Sequence, residues 1–163
     1  MTKQVFTIDG DHFTNIEGFY DEIGMILIPG VSWGKNLDAL ADILSGGFGT
    51  PDEGFIVVWK HSTQSRQVFG YQATLDYLQK LWQRLSQGLS YDDIAARDYR
   101  FMKAANPELD EAYLLERVQQ MQVGLRQIEQ QIEDARQHKG STIFDWIVAP
   151  FEENYPDIEL RLE

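Results

Sequence analysis

Five consecutive residues, Phe55-Ile56-Val57-Val58-Trp59, constrain the fold more than any other part of the chain. All are β-branched or aromatic and no polar residue interrupts them. The run therefore reads as a strand covered on both faces, the pattern of a parallel sheet. Helical patterns around such a strand point to an α/β layer. Val5, Phe6 and Ile8 before Asp9-Gly10 read as a first strand over 4–8, closed by a glycine-containing turn. Thr14 with Glu17 three residues on has capping-box spacing. Ile16, Phe19, Tyr20, Ile23, Ile26 and Leu27 then recur at helical intervals until Pro29-Gly30. A second helix is expected over about 36–45, burying Leu37, Leu40, Ile43 and Leu44 and stopped by Gly46-Gly47. At the far end Ile158, Leu160 and Leu162 alternate with Glu159, Arg161 and Glu163, which predicts a strand with one polar face, at a sheet edge.

The region between is helical. Leu75, Leu78, Leu81, Trp82 and Leu85 mark one helix, and Ile94, Tyr99 and Met102 a weaker second. Asn106-Pro107, followed by Glu108, Asp110 and Glu111, has the character of a cap and first turn. Beyond it Leu114, Val118, Met121, Leu125, Ile128, Ile132 and Ala135 alternate spacings of four and three, predicting a long helix that ends near Gly140. Three heptads of this kind pack either on the preceding helices as a hairpin or on a second copy as a coiled coil. The glutamines from Gln119 to Gln137 read as the solvated face.

Charge is unevenly spread over the 163 residues. The net charge is −12, with 26 acids against 14 bases. Nearly all of the excess lies in residues 1–60 and 141–163, whereas 61–140 is close to neutral. Such a balance repels phosphate backbones and favours basic partners, so direct nucleic-acid binding is not expected. Cysteine is absent, which removes disulfides and thiolate metal sites and fits a reducing compartment. Met1 to Phe13 lacks the basic start and apolar core of a signal peptide. No stretch reaches the roughly 20 apolar residues of a membrane span. The expectation is a cytoplasmic protein without membrane contact.

No catalytic constellation stands out. His12, His61 and His138 sit in predicted turns and at a helix end, without HExxH or His-x-His spacing, and read as structural or surface residues. Gly46-Gly47 belongs to no GxGxxG or Walker pattern. Ser32, Ser62 and Ser65 have no nucleophile-elbow context. Neither an enzyme nor a cofactor is expected.

The segment Ser32-Trp33-Gly34-Lys35-Asn36-Leu37-Asp38-Ala39-Leu40-Ala41-Asp42-Ile43-Leu44-Ser45-Gly46-Gly47 is less generic. On a helix Asp38 and Asp42 share a face opposite Leu37, Leu40 and Leu44, and as like charges they weaken that helix slightly. Asp38 favours the helix dipole, and Asp42 reads from spacing alone as solvated. In its order of aromatic, Gly, Asn, Leu, Asp, Ala and Leu the segment resembles the signature of the barstar family. The resemblance extends over about 3–69 and 141–163, through the Asp9-Gly10 turn, Trp59, Gln64-Ser65 and the final strand.

That resemblance implies a three-stranded parallel sheet flanked by helices in one domain of 1–163, with a helical insertion at about 70–140. It implies a stoichiometric ribonuclease inhibitor, an immunity protein of the toxin–antitoxin kind, whose acidic helix and loop enter the active site of a basic, secreted-type ribonuclease or nuclease toxin. The contacts it implies are Ser32, Trp33, Asn36, Asp38, Asp42, Gly46 and Gly47, with Asp42 as the phosphate mimic and Glu152 and Glu153 as a further acidic pair. Three aromatic anchors of the family are altered, to Ser32, Ala41 and Gly47, although Phe48 lies next to the last. Were the helix at 74–85 matched to the family's last helix instead, Lys80 and Arg84 would fall near its acidic positions. The alternative reading is a non-inhibitory adaptor that recruits or dimerises through the long helix, and the chain is expected to be a monomer or a weak homodimer.

Overall fold

The computed structural model describes residues 3–46, 48–153 and 157–163. Its chain divides into two compact units, Met1–Ala73 with Ser141–Glu163, and Thr74–Gly140. The first unit holds a three-stranded parallel sheet in the order β1 (Gln4–Asp9), β2 (Phe55–Lys60), β3 (Glu159–Leu162). Val5 pairs with Ile56 and Asp9 with Lys60, while Ile56 pairs with Glu159 and Trp59 with Leu162. The apolar run is thus the central strand. One of its faces, Phe55, Val57 and Trp59, is buried, and the other, Ile56 and Val58, is only half-buried, so the expected cover on both faces is complete on one. β3 occupies the edge. It begins at Glu159, and Ile158 is buried just before it.

Helix α1 (Ile16–Leu27) lies on β1 and buries Phe19, Tyr20, Ile23 and Leu27. Its N-cap is Asn15, not Thr14. The Asn15 side chain accepts the Gly18 amide at 2.8 Å, satisfying a donor that helical geometry leaves open. Helix α2 spans Leu37–Ser45 and packs on α7 (Ile143–Glu153), which carries Pro150 inside it. A short helix, α3 (Ser62–Val68), follows β2. Its buried side of Ser62 and Ser65 has no apolar period, which is why periodicity does not reveal it.

Aromatic rings fill the centre of this unit. The Trp59 indole is fully buried, stacks on Phe19 at 5.2 Å and also meets Phe13 and Phe144. Phe13 in turn stacks on Phe69 at 5.6 Å. The one polar atom of the indole donates to Ser65 Oγ at 3.0 Å, so the ring is buried without an unmet donor. Removing a ring of this size from a packed core costs about 3–5 kcal/mol.

The second unit is helical. Helix α4 (Tyr71–Ser86) runs into it, followed by α5 (Tyr91–Ala105) and α6 (Glu111–Arg136). Asp110 caps α6 by accepting the Tyr113 amide at 3.1 Å, while Asn106 closes α5 instead of opening α6. Leu114, Val118, Leu125, Ile132 and Ala135 of the predicted stripe are buried and α6 packs on α5, the hairpin of the two expected arrangements. Met121 departs from the stripe and is exposed. Tyr91 hydrogen-bonds Glu129, which joins α5 to α6, and Arg97 donates to the Leu85 carbonyl at 3.3 Å.

Candidate functional site

The signature segment forms a loop over 31–36 and the helix α2. Asn36 is the N-cap of α2. Its Oδ1 accepts the Ala39 amide at 2.8 Å and its Nδ2 donates to the Gly34 carbonyl at 3.3 Å. A carbon on Gly34 would lie 3.1 Å from Asn36 Nδ2 and 3.2 Å from Ala39 Cβ, so the tight approach of loop to cap suits glycine there. Leu40, Ile43 and Leu44 are buried beneath the helix, which leaves Asp38 and Asp42 exposed on the opposite side. Asp38 stands in the first turn, where negative charge meets the positive end of the dipole. Among the described residues neither carboxylate has a hydrogen-bond or ion-pair partner. Gly46 ends the helix at φ +99, a conformation that L side chains rarely adopt, and its amide donates to the Ile43 carbonyl.

The loop is pinned to α1 by Trp33. Its ring meets Tyr20 edge-on at 5.5 Å, and a carbon on Gly24 would lie 2.8 Å from Trp33 Nε1. A glycine inside a helix costs about 1 kcal/mol relative to alanine, and here it admits the indole. Trp33 is consequently half-buried and faces α1 as much as solvent. Lys35, at φ 46, reaches Asp21 of α1 at 2.6 Å across the rim of a cleft of about 570 Å³ whose walls include Tyr20, Met25, Val31 and Ser32. Ser32 is exposed beside that cleft.

Of the remaining expected contacts, Glu152 is exposed near the end of α7, the helix that packs on α2. Gly47 and the side chain of Glu153 lie outside the described residues. Phe48, adjacent to an altered anchor position, is exposed.

A second cluster escapes any reading of spacing. At the C-terminal end of the sheet a 3-10 turn over Gly10–His12 lies against the junction of β2 and α3. Only glycine permits this, because a carbon on Gly10 would lie 2.4 Å from Ser65 Oγ and 2.7 Å from the His61 carbonyl oxygen. His61, in the left-handed region at φ 53, has its Nδ1 2.8 Å from Asp9 Oδ1 and 3.3 Å from Asp11 Oδ2. His12 Nδ1 lies 2.9 Å from Glu22 Oε1, and its Nε2 lies 4.0 Å from Asp9 Oδ2. Glu22 is 6% exposed and also accepts the Asp9 amide at 3.3 Å.

These contacts move the titrations. The Asp11 amide and then His61 hold the Asp9 carboxyl below its ordinary range. The hydrogen bond to Glu22, helped by its charge, raises His12, and the bond to Asp9 with the charge of Asp11 raises His61. The usable sequence signal was positional. Asp9-Gly10-Asp11-His12 and Lys60-His61 each follow a strand directly, and adjacent parallel strands end side by side.

Comparison with known proteins bears on the first of these sites. A family model described as Barstar (barnase inhibitor) matches residues 3–102. The match takes in both strands of the β1–β2 pair, the loop, all of α2 and the helices as far as α5, and it stops short of α7 and β3. No curated protein matches the chain.

Proposed function

The chain belongs to the barstar family, and on that premise we propose that it is a non-enzymatic, stoichiometric inhibitor of a basic ribonuclease or related nuclease toxin, acting as a cytoplasmic immunity protein. The observation that carries this reading is the pair of carboxylates, Asp38 and Asp42, without partners among the described residues and presented on the outer face of a helix whose inner face is buried. Ribonuclease active sites hold phosphate with lysine, arginine and histidine. A carboxylate brought into such a cleft makes charge-assisted hydrogen bonds there and blocks the substrate. Asp42, mid-helix, is the phosphate mimic, and Asp38 is the second contact one turn away. The excess negative charge of the surrounding chain accelerates encounter with a basic partner. The barnase–barstar pair is itself the reference example of this behaviour.

The other contacts have supporting roles. Asn36 and Gly46 fix the two ends of α2, and Trp33 fixes the loop on α1, so the carboxylates are presented without an ordering cost on binding. Ser32 touches the partner from the loop, and Glu152 and Glu153 extend the acidic surface from α7. The proposed domain is a barstar-like whole with a helical insertion at about 70–140, of which the family match takes in the part up to residue 102.

Titration calorimetry against a barnase-type ribonuclease, with RNA-cleavage assays at two salt concentrations, tests the reading. One-to-one binding that abolishes cleavage and weakens with salt is the expected result. Binding without loss of cleavage would reject the active-site plug. One observation favours the adaptor reading as a second possibility. Phe101 of α5 is 73% exposed, and Leu115 and Val123 of α6 are about half exposed, so the helical unit offers apolar surface for recruitment. Among the described residues no helix is long and apolar enough to cross a membrane.

A further inference from the structure

The geometry points to a divalent transition-metal site of the zinc class at the C-terminal end of the sheet, with Asp9, Asp11 and His61 as ligands and His12 beside them, oriented by Glu22. This reverses the expectation, drawn from spacing, that the histidines do no metal work. The donor set is mixed, imidazole nitrogen with carboxylate oxygen, and two of its residues are contributed by different strands' ends rather than by one acidic run.

Three features support the assignment. The first is spacing. Zinc bound at about 2.0–2.1 Å in a tetrahedron holds its donor atoms roughly 3.3 Å apart. Here His61 Nδ1 stands 2.8 Å from Asp9 Oδ1 and 3.3 Å from Asp11 Oδ2, and the three ligand atoms all lie within 4.8 Å of one another. The second is the surrounding shell. Metal-binding imidazoles are commonly oriented by a carboxylate on the other ring nitrogen. Glu22, nine-tenths buried, takes this role for His12, engaging Nδ1 and turning Nε2 towards Asp9. Burying a carboxylate is costly unless it is bonded, and both of the bonds shown for Glu22 run to this cluster, one to the His12 ring and one to the Asp9 amide. The third is backbone placement. Gly10 removes the one side-chain carbon that would separate the two turns, and the Asp9 carboxylate is fixed by the Asp11 amide at 3.0 Å.

Imidazole and carboxylate together favour zinc, cobalt, nickel or copper over magnesium or calcium, which prefer all-oxygen shells. The site needs the Asp9 and Asp11 carboxylates and one unprotonated His61 nitrogen, with the fourth position taken by His12 or water.

The test is calorimetry of the untagged full chain with zinc chloride in excess magnesium, repeated with cobalt(II) and followed by its visible ligand-field bands. The expected result is one zinc per chain. His61→Ala and Asp11→Asn should abolish stoichiometric binding, and Glu22→Gln should weaken it about tenfold. Asp52→Asn removes an exposed acid elsewhere on the same unit and should leave it unchanged. Far-UV circular dichroism verifies that each variant is folded, and the three substitutions at exposed residues, His61→Ala, Asp11→Asn and Asp52→Asn, spare the core. Absence of one-to-one zinc binding by the wild type, or binding that survives His61→Ala, would overturn the proposal.

Discussion

Two acidic regions of the first unit use the same residue type in opposite ways. On α2, Asp38 and Asp42 face outward and are unpaired among the described residues. At the C-terminal end of the sheet Asp9, Asp11 and Glu22 are all turned on two histidines and on backbone amides. A carboxylate left unpaired on a rigid helix keeps its full attraction for an incoming cation. One already satisfied within its own fold stabilises that fold and has less to offer a partner protein. Acidic composition alone therefore says little about where a basic protein docks. The state of each carboxylate's partners decides.

The sharpest separation comes from Asp42→Ala. It is expected to weaken nuclease binding by at least about 3 kcal/mol, more than a hundredfold in Kd, while moving the unfolding free energy by less than about 0.5 kcal/mol. Calorimetry and urea denaturation read the two numbers separately, and a large stability loss with intact binding would invert the contrast. Gly10→Ala acts on the other region. The added carbon has no room beside Ser65 Oγ and the His61 carbonyl, so it should destabilise the protein by about 2 kcal/mol and separate Asp9 and Asp11 from His61. Nuclease affinity measured on the folded fraction should stay as in the wild type.

Asn36→Ala probes how rigidly α2 is held. Loss of the cap is expected to cost about 1 kcal/mol of stability and to weaken binding less than Asp42→Ala does, because the carboxylates remain while their first turn frays. Hydrogen exchange at the Ala39 amide, which would lose its acceptor, reports the fraying directly.

The smallest effect is a titration. Asp9 carries a lowered pKa in the folded, metal-free protein, so its contribution to stability is present above the ordinary carboxylate pKa and is lost as pH falls through the folded value. NMR titration should therefore place its midpoint below the ordinary range. His61→Ala should move it upward part of the way, since the Asp11 amide still holds it. A midpoint at the ordinary value in the wild type would remove the distinction between bonded and free carboxylates on which the comparison depends.

Much of the scaffold was legible because its signals are local. The unbroken run at 55–59 marked the central strand. Helical spacing marked α1, α2 and α6, and alternation after 157 marked the edge strand. The helix caps were misplaced by a residue or more at Asn15 and Asp110, since several neighbouring polar side chains could serve and only backbone geometry selects one. Helix α3 was invisible because it buries serines. On the candidate interface, sequence determined that Asp38 and Asp42 share a face. It could not show that Trp33 is seated on Gly24 or that Asn36 spends its side chain on capping.

What sequence by itself determined is the three strands and most of the helices, the acidic face of α2 and the family signature that spans it, all properties of periodicity and order along the chain. Tertiary structure alone decided that His61 meets Asp9 across 52 residues, that Glu22 is buried beneath His12, and that Gly10 permits the contact. The physical reason is the parallel sheet. Its register brings together the ends of strands far apart in sequence, and no local pattern of side chains records which turn will lie against which.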